Sequence, residues 1–131
     1  MRIARRLVEE IVAHAWEDLP NECCGMVGGV DGEARTVYRA ENAEASPLRY
    51  SIDAKEQFRL MRETEEAGEE LVGIYHSHTK SAAYPSQTDV NLAGWPDAVY
   101  LIASLADPDA PDLKGFWIRD GEISEAELAV K

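Results

Sequence analysis

The sequence predicts an α/β fold in which helices cover both faces of one sheet, a three-layer αβα arrangement within a single domain of residues 1–131. Two observations support this class. Segments with apolar residues at helical spacing alternate along the chain with short apolar runs typical of strands. Neither repeats nor low-complexity tracts interrupt this pattern, and 131 residues are close to the usual size of one domain.

The first part of the chain predicts one helix followed by a hairpin. Apolar side chains recur every four residues from Ile3, and Pro20 stops this amphipathic helix. Asp31-Gly32 is typical of a turn between two strands. The predicted strands of this part are residues 23–30, residues 35–40 and a short strand at 49–52.

The second part predicts two further helices between strands. Asp53 begins a helix with Glu56 in its first turn, Phe58 and Met61 are expected to face inward, and Gly68 ends it. The remaining predicted elements are a strand at 72–78, a helix from residue 86, a strand at 98–105 and paired strands at 113–119 and from 123 onward.

His76 and His78 lie at the end of an apolar run that predicts a buried central strand. Alternate residues of a strand face the same side, so both imidazoles project together from Cα atoms roughly 6.5–7 Å apart. Two imidazoles at this separation can reach one metal ion with bonds of about 2.0–2.1 Å. Ser77 faces the opposite side.

Ser86 and Asp89 follow seven residues after the second histidine and have two interpretations. As a Ser-x-x-Asp capping box they begin a helix and need no metal. A His-x-His pair alone is also more often structural than ligating. Their coincidence within fourteen residues favours a metal site, because two buried imidazoles on one face would otherwise lack partners. Three protein ligands leave a tetrahedral position for water, as in catalytic zinc sites.

The segment from His76 to Asp89 resembles the signature of the JAMM (MPN+) metalloproteases, in which an upstream glutamate precedes His-Ser/Thr-His, seven residues, serine, two residues and aspartate. The resemblance implies that His76, His78 and Asp89 bind Zn²⁺, that Ser86 stabilises the oxyanion and that Glu22 is the general acid/base. Glu22 lies in a stretch similar to the Pro-x-Glu-x-x-Gly-x-x-x-Gly start of that family. Without the family, a solvated loop carboxylate would be the simpler interpretation of Glu22.

The resemblance also implies a mixed, curved central sheet, related to that of the cytidine deaminases, whose own zinc motifs are absent here. Residues 75–79 and 83–86 are similar to a small bacterial branch that releases cysteine from a ubiquitin-like sulfur-carrier protein in cysteine biosynthesis. The expected partner therefore carries a Gly-Gly tail, which can lie extended close to a metal. A strand edge beside His76, or the loop 79–84 with Tyr84, is the expected clamp for that tail.

Several alternatives stay open from the sequence. Cys23 and Cys24 could complete a closed zinc site with the two histidines, although neighbouring strand residues point to opposite faces. Two histidines and a carboxylate can also hold iron in an oxygenase. A non-catalytic scaffold of this fold, and an isopeptidase acting on other ubiquitin-like conjugates, are the remaining interpretations.

The composition excludes some partners. With 25 acidic and 13 basic residues, the net charge of −12 opposes binding to nucleic acid or an anionic membrane. No apolar stretch has the 18 or more residues of a membrane-spanning helix, and the arginine-rich start runs into acidic residues instead of the apolar core of a signal peptide. A cytoplasmic location is expected, and no oligomeric state follows.

Overall fold

The structure is a computed structural model that describes residues 1–131 as eight strands and three helices. In chain order they are β1 (Arg2–Ile3), α1 (Arg5–Glu17), β2 (Cys24–Val30), β3 (Glu33–Ala40), α2 (Ala54–Glu66), β4 (Glu70–His78), α3 (Gln87–Leu92), β5 (Val99–Ser104), β6 (Asp112–Arg119), β7 (Glu122–Ala126) and β8 (Ala129–Val130). None of the helices is long and apolar enough to cross a membrane.

All eight strands form one sheet in the order β7-β6-β5-β4-β2-β3-β1-β8. β4 lies at its centre, antiparallel to β2 and parallel to β5. β7 and β8 occupy opposite edges although only two residues separate them in the chain, so the sheet must curl until its edges approach each other. The predicted α/β class with a mixed, curved sheet is confirmed.

Helices cover both faces of this sheet, and β4 contributes to both interfaces. α1 packs inside the curl against Tyr75 and Leu101. On the other face, Leu60 of α2 packs against Met26, and α3 packs against Ile74. Because Ile74 and Tyr75 are consecutive and both buried, β4 needs apolar residues on both faces, which explains its continuous apolar run.

Two predicted elements of the first half are wrong. Residues 49–52 form no strand, because the Ser51 N–H donates to the side chain of Asn42 and the Ser51 carbonyl accepts from Ala43, so these groups are satisfied within a loop. Ile3 belongs to β1 and not to the first helix, which begins at Arg5. Its place in the apolar periodicity reflects burial in the same core as α1.

The second helix begins and ends as predicted, and Met61 packs against the core as expected, but Phe58 does not. Asp53 accepts a hydrogen bond from Lys55 N, and Gly68 has a positive φ of 72°. Phe58, expected to face inward, is 66% exposed, whereas Leu60 and Thr64 are buried. Two residues along a helix turn the side chain by about 200°, so burial of Leu60 places Phe58 outside.

Replacing Gly25 by alanine should destabilise the protein, because an added Cβ would lie 2.3 Å from the ring of the buried Tyr75. Overpacking of this kind costs about 1–3 kcal/mol. Gly94→Ala is the matched control, since a Cβ there meets nothing within 4 Å. Urea unfolding should show a lower free energy of unfolding for Gly25→Ala alone; equal values for both variants would contradict the packing described.

Candidate metal centre

The end of β4 and the start of α3 bring three ligand-type side chains together. His76 and His78 project from the same face of β4, and their Nε2 atoms lie 3.2 Å apart. Asp89 Oδ2 lies 3.1 Å from Nε2 of His76 and 2.9 Å from Nε2 of His78. Ligands on a tetrahedral zinc with bonds of about 2.0–2.1 Å would be about 3.3 Å apart. The three atoms therefore fit one ion with only small adjustments.

The capping box of α3 orients Asp89 toward the histidines. Ser86 Oγ accepts a hydrogen bond from Asp89 N at 3.1 Å, and Asp89 Oδ2 accepts one from Ser86 N at 2.9 Å. The capping interpretation of these residues is thus confirmed. It does not compete with the metal interpretation, because the same Oδ2 atom faces both imidazoles.

The hydrogen bonds of His78 make this cluster suited to a cation. Its Nδ1 lies 2.9 Å from the carbonyl oxygen of Ala82, which can only accept, so Nδ1 carries the proton. In the neutral ring the lone pair of Nε2 then points at Asp89 Oδ2, 2.9 Å away. Two acceptors this close repel each other unless a proton or a metal ion lies between them.

Glu22 is the second acidic group beside the cluster. It is 4% exposed, and its Oε1 atom is buried without a hydrogen-bond partner. Burial raises the pKa of Glu22 to about 8; the charge of His78 opposes this shift and that of Asp89 adds to it. The solvated loop carboxylate considered from the sequence is therefore the wrong interpretation of Glu22.

Ser77 connects the Glu22 segment to β4. The N–H of Cys23 donates to Ser77 Oγ at 2.8 Å, and the N–H of Ser77 donates to the Cys23 carbonyl at 3.2 Å. The face of β4 opposite the histidines therefore holds the residue next to Glu22. These bonds hold the segment of Glu22 next to that of His76, although the two residues are 54 positions apart in the sequence. The serine between the two histidines, expected to face away from them, is the sequence signal for this contact.

The pKa values of the three candidate ligands reflect their burial and mutual contacts. Burial lowers the pKa of His76. Burial acts in the same direction on His78, but its bonds to Asp89 and the Ala82 carbonyl outweigh it and raise the pKa. Burial would raise the pKa of Asp89, but the close contacts of its carboxylate with the rings of His76 and His78 hold the pKa well below its usual range. Asp89 is therefore ionised near neutral pH, as a metal ligand must be.

Tyr50 forms one wall of the centre and was not recognised from the sequence. Its ring is stacked on His76, with centroids 4.5 Å apart and an angle of 20° between the planes. It lies on a loop that follows β3, far from the histidines in sequence, and no local motif marks it. The stacked ring restrains the orientation of His76, whose Nδ1 has no hydrogen-bond partner.

The two cysteines take no part in this cluster. The residues whose ligand atoms converge within 4.8 Å are His76, His78 and Asp89. Cys23 is buried in the core that contains α1, and Cys24 is buried on the other face beside Leu60 of α2. The closed Cys/His zinc site is thus not formed, and both thiols pack as small apolar groups.

The expected clamp is only partly present. β2 and β5 occupy both edges of β4, so the free strand edge predicted beside His76 and His78 does not exist. The loop between β4 and α3 remains as the candidate clamp. Tyr84 on this loop is 58% exposed, and its ring meets that of Phe116 edge-on with the centroids 5.4 Å apart. Ser86 is also exposed, and its Oγ accepts a hydrogen bond from Asp89 N while its own hydrogen stays available for donation.

Comparison with known proteins identifies the family. Residues 4–119 match the model described as prokaryotic homologs of the JAB domain. The chain belongs to this JAB family. The JAB chain is 44% identical over 126 residues to the CysO-cysteine peptidase of Mycobacterium tuberculosis, covering 95% of this chain and 86% of that protein. The resemblance to the JAMM and MPN proteins is thereby confirmed.

Two further matches extend over nearly the whole JAB chain. It is 40% identical over 131 residues to the desampylase of Haloferax volcanii, covering 94% of this chain and 91% of that protein. The solved structure of protein DSY2949 from Desulfitobacterium hafniense is 38% identical and has a TM-score of 0.91, covering 100% of this chain and 93% of that one. The fold of that protein therefore extends over all strands and helices described above.

The raised pKa of Glu22 predicts a pH-dependent stability of the chelator-treated JAB chain. Between 4.5 and about 8 the folded protein holds a proton that the unfolded chain has released, so its free energy of unfolding falls as pH rises through this window. Glu22→Gln removes the titrating group. The free energy of unfolding of Glu22→Gln minus that of the original chain should therefore increase from about pH 4 to about pH 8. The increase should be on the order of 1–3 kcal/mol.

Urea unfolding of both chelator-treated proteins at the two pH values measures this difference. Gln at position 22 preserves the size of the side chain, so packing changes contribute equally at both pH values. A difference between the two proteins that is the same at both pH values would contradict a raised pKa at Glu22.

Proposed function

We propose that this JAB protein is a zinc metallopeptidase that cleaves the bond after the Gly-Gly terminus of a ubiquitin-like protein, and that residues 1–131 act as one catalytic domain. The observation that carries the proposal is the convergence of three ligand-type atoms, from His76, His78 and Asp89, with the buried carboxyl of Glu22 close enough to interact with the charges of His78 and Asp89. A hydrolytic metal centre needs such a ligand set and an adjacent proton carrier.

His76, His78 and Asp89 would hold the metal. Zinc, when bound, supplies a Lewis acid that polarises the scissile carbonyl and makes water a nucleophile near neutral pH. Imidazole and carboxylate ligands suit this ion, and the acceptor atoms of the three residues already lie 2.9–3.2 Å apart.

Glu22 would move the proton. Its carboxylate accepts a proton from the attacking water and returns it to the departing amine, which leaves as the neutral group. A pKa raised by burial suits both transfers, because the group can accept and donate near neutral pH. Ser86 is exposed beside Asp89, and its O–H would donate to the oxyanion that develops from the scissile carbonyl.

The relatives support a ubiquitin-like partner. A CysO-cysteine peptidase is 44% identical to the chain, and this supports release of cysteine from a sulfur-carrier protein in cysteine biosynthesis. The exposed loop between β4 and α3 would receive the Gly-Gly tail, and the net charge of −12 favours a partner with basic residues near the cleavage site. The enzyme is expected to act in the cytoplasm.

A second candidate is isopeptidase activity on other ubiquitin-like conjugates. The specific observation in its favour is the 40% identity to a desampylase over 94% of the chain. Both activities use the same centre and differ only in the leaving amine, which is a free amino acid in one reaction and a protein lysine in the other. An oxygenase has no comparable support, since the carboxylate candidate begins a helix in a curled α/β sheet.

The intact mass of a ubiquitin-like sulfur carrier ending in Gly-Gly-Cys tests the proposal. Incubation with zinc-loaded protein should remove one cysteine, and chelator-treated protein should leave the mass unchanged. The same carrier joined through Gly-Gly to a lysine side chain tests the second candidate in parallel. Unchanged masses for both substrates, with the protein folded and zinc bound, would contradict the proposal.

Glu22→Gln should bind zinc as the original protein does but turn over about 10²–10⁴-fold more slowly, because the proton carrier is lost while the ligands stay. His76→Ala is the matched control and should lose zinc as well as activity. Zinc content by elemental analysis and kcat from cysteine release separate the two variants. Activity of Glu22→Gln close to the original value would contradict the role of Glu22.

Ser86→Ala should lower kcat by about 10²–10³-fold with zinc content unchanged, because one oxyanion donor is removed. The substitution also removes the N-cap of α3, which should lower the free energy of unfolding by about 1 kcal/mol. Ser86→Thr keeps a hydroxyl for both tasks and should retain more activity than Ser86→Ala. Equal losses of kcat in the two variants would argue against a hydroxyl acting in the reaction.

A further inference from the structure

Residues 41–53, which we name the Asn42 loop, join β3 to α2 and enclose a polar side chain instead of an apolar one. Asn42 is 7% exposed and is the only buried residue of this loop. Tyr50 and Ile52 are half-buried, and the other residues are polar or exposed. The conformation of the loop therefore depends on hydrogen bonds of one buried amide more than on burial of apolar side chains.

The side chain of Asn42 uses its whole hydrogen-bonding capacity. Nδ2 donates to the carbonyl oxygens of Glu22 at 3.1 Å and Arg49 at 3.0 Å, with Ser46 O at a longer 3.4 Å. Oδ1 accepts from the N–H groups of two more loop residues, Glu44 at 3.0 Å and Ser51 at 3.2 Å. A primary amide has two N–H groups and two acceptor lone pairs, so every one is occupied.

The Asn42 loop holds the backbone of Glu22 on both sides. The Glu22 carbonyl accepts from Asn42 Nδ2, and the Glu22 N–H donates to Ser46 O at 2.9 Å. By contrast, Oε1 of the Glu22 side chain has no partner in the protein. The position of this carboxyl is therefore set through its backbone, and the backbone is set by the loop that Asn42 organises.

We propose that Asn42 is a positioning residue: its side-chain amide fixes the Asn42 loop against the Glu22 peptide and thereby aims the Glu22 carboxyl at the metal centre. The inference rests on the proposed function of Glu22 as proton carrier. Asn42 makes no hydrogen bond to the three candidate ligands, which lie on β4 and α3. Tyr50 of the same loop stacks on His76, but the Asn42 amide holds the Glu22 peptide directly, so the expected effect is on proton transfer more than on metal binding.

Asn42→Ala should lower kcat about 100-fold, because a displacement of a reacting group by about 1 Å costs that much. KM should change by less than about threefold, because the loop between β4 and α3 that is proposed to receive the Gly-Gly tail does not include Asn42. Zinc content should stay as in the original protein. Asn21→Ala is the matched control: it removes an amide next to Glu22 that makes none of these contacts, and its kcat should be unchanged. Unchanged kcat in Asn42→Ala would overturn the proposal.

A double-mutant cycle separates positioning from general stabilisation. If Asn42 acts through the Glu22 carboxyl, adding Asn42→Ala to Glu22→Gln should cause no further loss in single-turnover rate, because no carboxyl is left to position. A purely structural role would give losses that multiply. Multiplied losses would therefore overturn the proposal even if the single variant is slow.

Hydrogen exchange gives a readout that does not depend on activity. The amides of Glu44, Ser51 and Glu22 should exchange faster in Asn42→Ala, while those of β4 keep their protection. If the original protein cleaves no substrate, the proposed function fails, and exchange still tests whether Asn42 holds the Glu22 backbone. Unchanged exchange at these three amides would overturn the inference by itself.

A second variant covers the case in which Asn42→Ala does not fold. Asn42→Asp has the same shape and keeps the two acceptor bonds, but its ionised carboxylate cannot donate to the Glu22 carbonyl. It should lower kcat with zinc content retained. An Asn42→Asp protein with the original kcat would overturn the proposal.

Discussion

The central position of β4 in the sheet is the constraint on which the rest of the structure depends. Its residues alternate between two faces, so one strand builds two parts of the site at once. His76 and His78 face α2 and α3, whereas Tyr75 and Ser77 face the core around α1. Ser77 holds the segment that carries Glu22, and a shift of β4 by one residue would exchange the candidate ligands with the core residues.

Burial of ionisable groups at the end of β4 would be unfavourable in an ordinary core. His76, His78, Asp89 and Glu22 are all nearly inaccessible to solvent, and the ligand-type atoms of the first three lie within 4.8 Å of one another. Such an arrangement costs free energy unless a cation neutralises it. Zinc binding would offset this cost, while Glu22 stands outside the ligand set with its oxygen unpartnered. The same burial that strains the metal-free protein prepares it for its proposed reaction.

Much of the fold and the metal centre could be predicted because the signals are local. The strand period places His76 and His78 on one face, and a capping box of four residues orients Asp89, so spacing alone carries the geometry. The surroundings of Glu22 are different, because Ser77 and Asn42 reach it through hydrogen bonds between segments distant in sequence. The prediction of a strand at residues 49–52 is wrong for the same reason. The N–H of Ser51 donates to the buried side chain of Asn42, whereas in a strand it would donate to a neighbouring strand.

The most direct test of the central claim is the position of zinc in crystals of the zinc-loaded protein, located by anomalous diffraction at the zinc edge. The account predicts one anomalous peak bonded to Nε2 of His76, Nε2 of His78 and a carboxylate oxygen of Asp89, with Glu22 close by but not a ligand. A peak bound by other residues, or no peak among these three side chains, would contradict it.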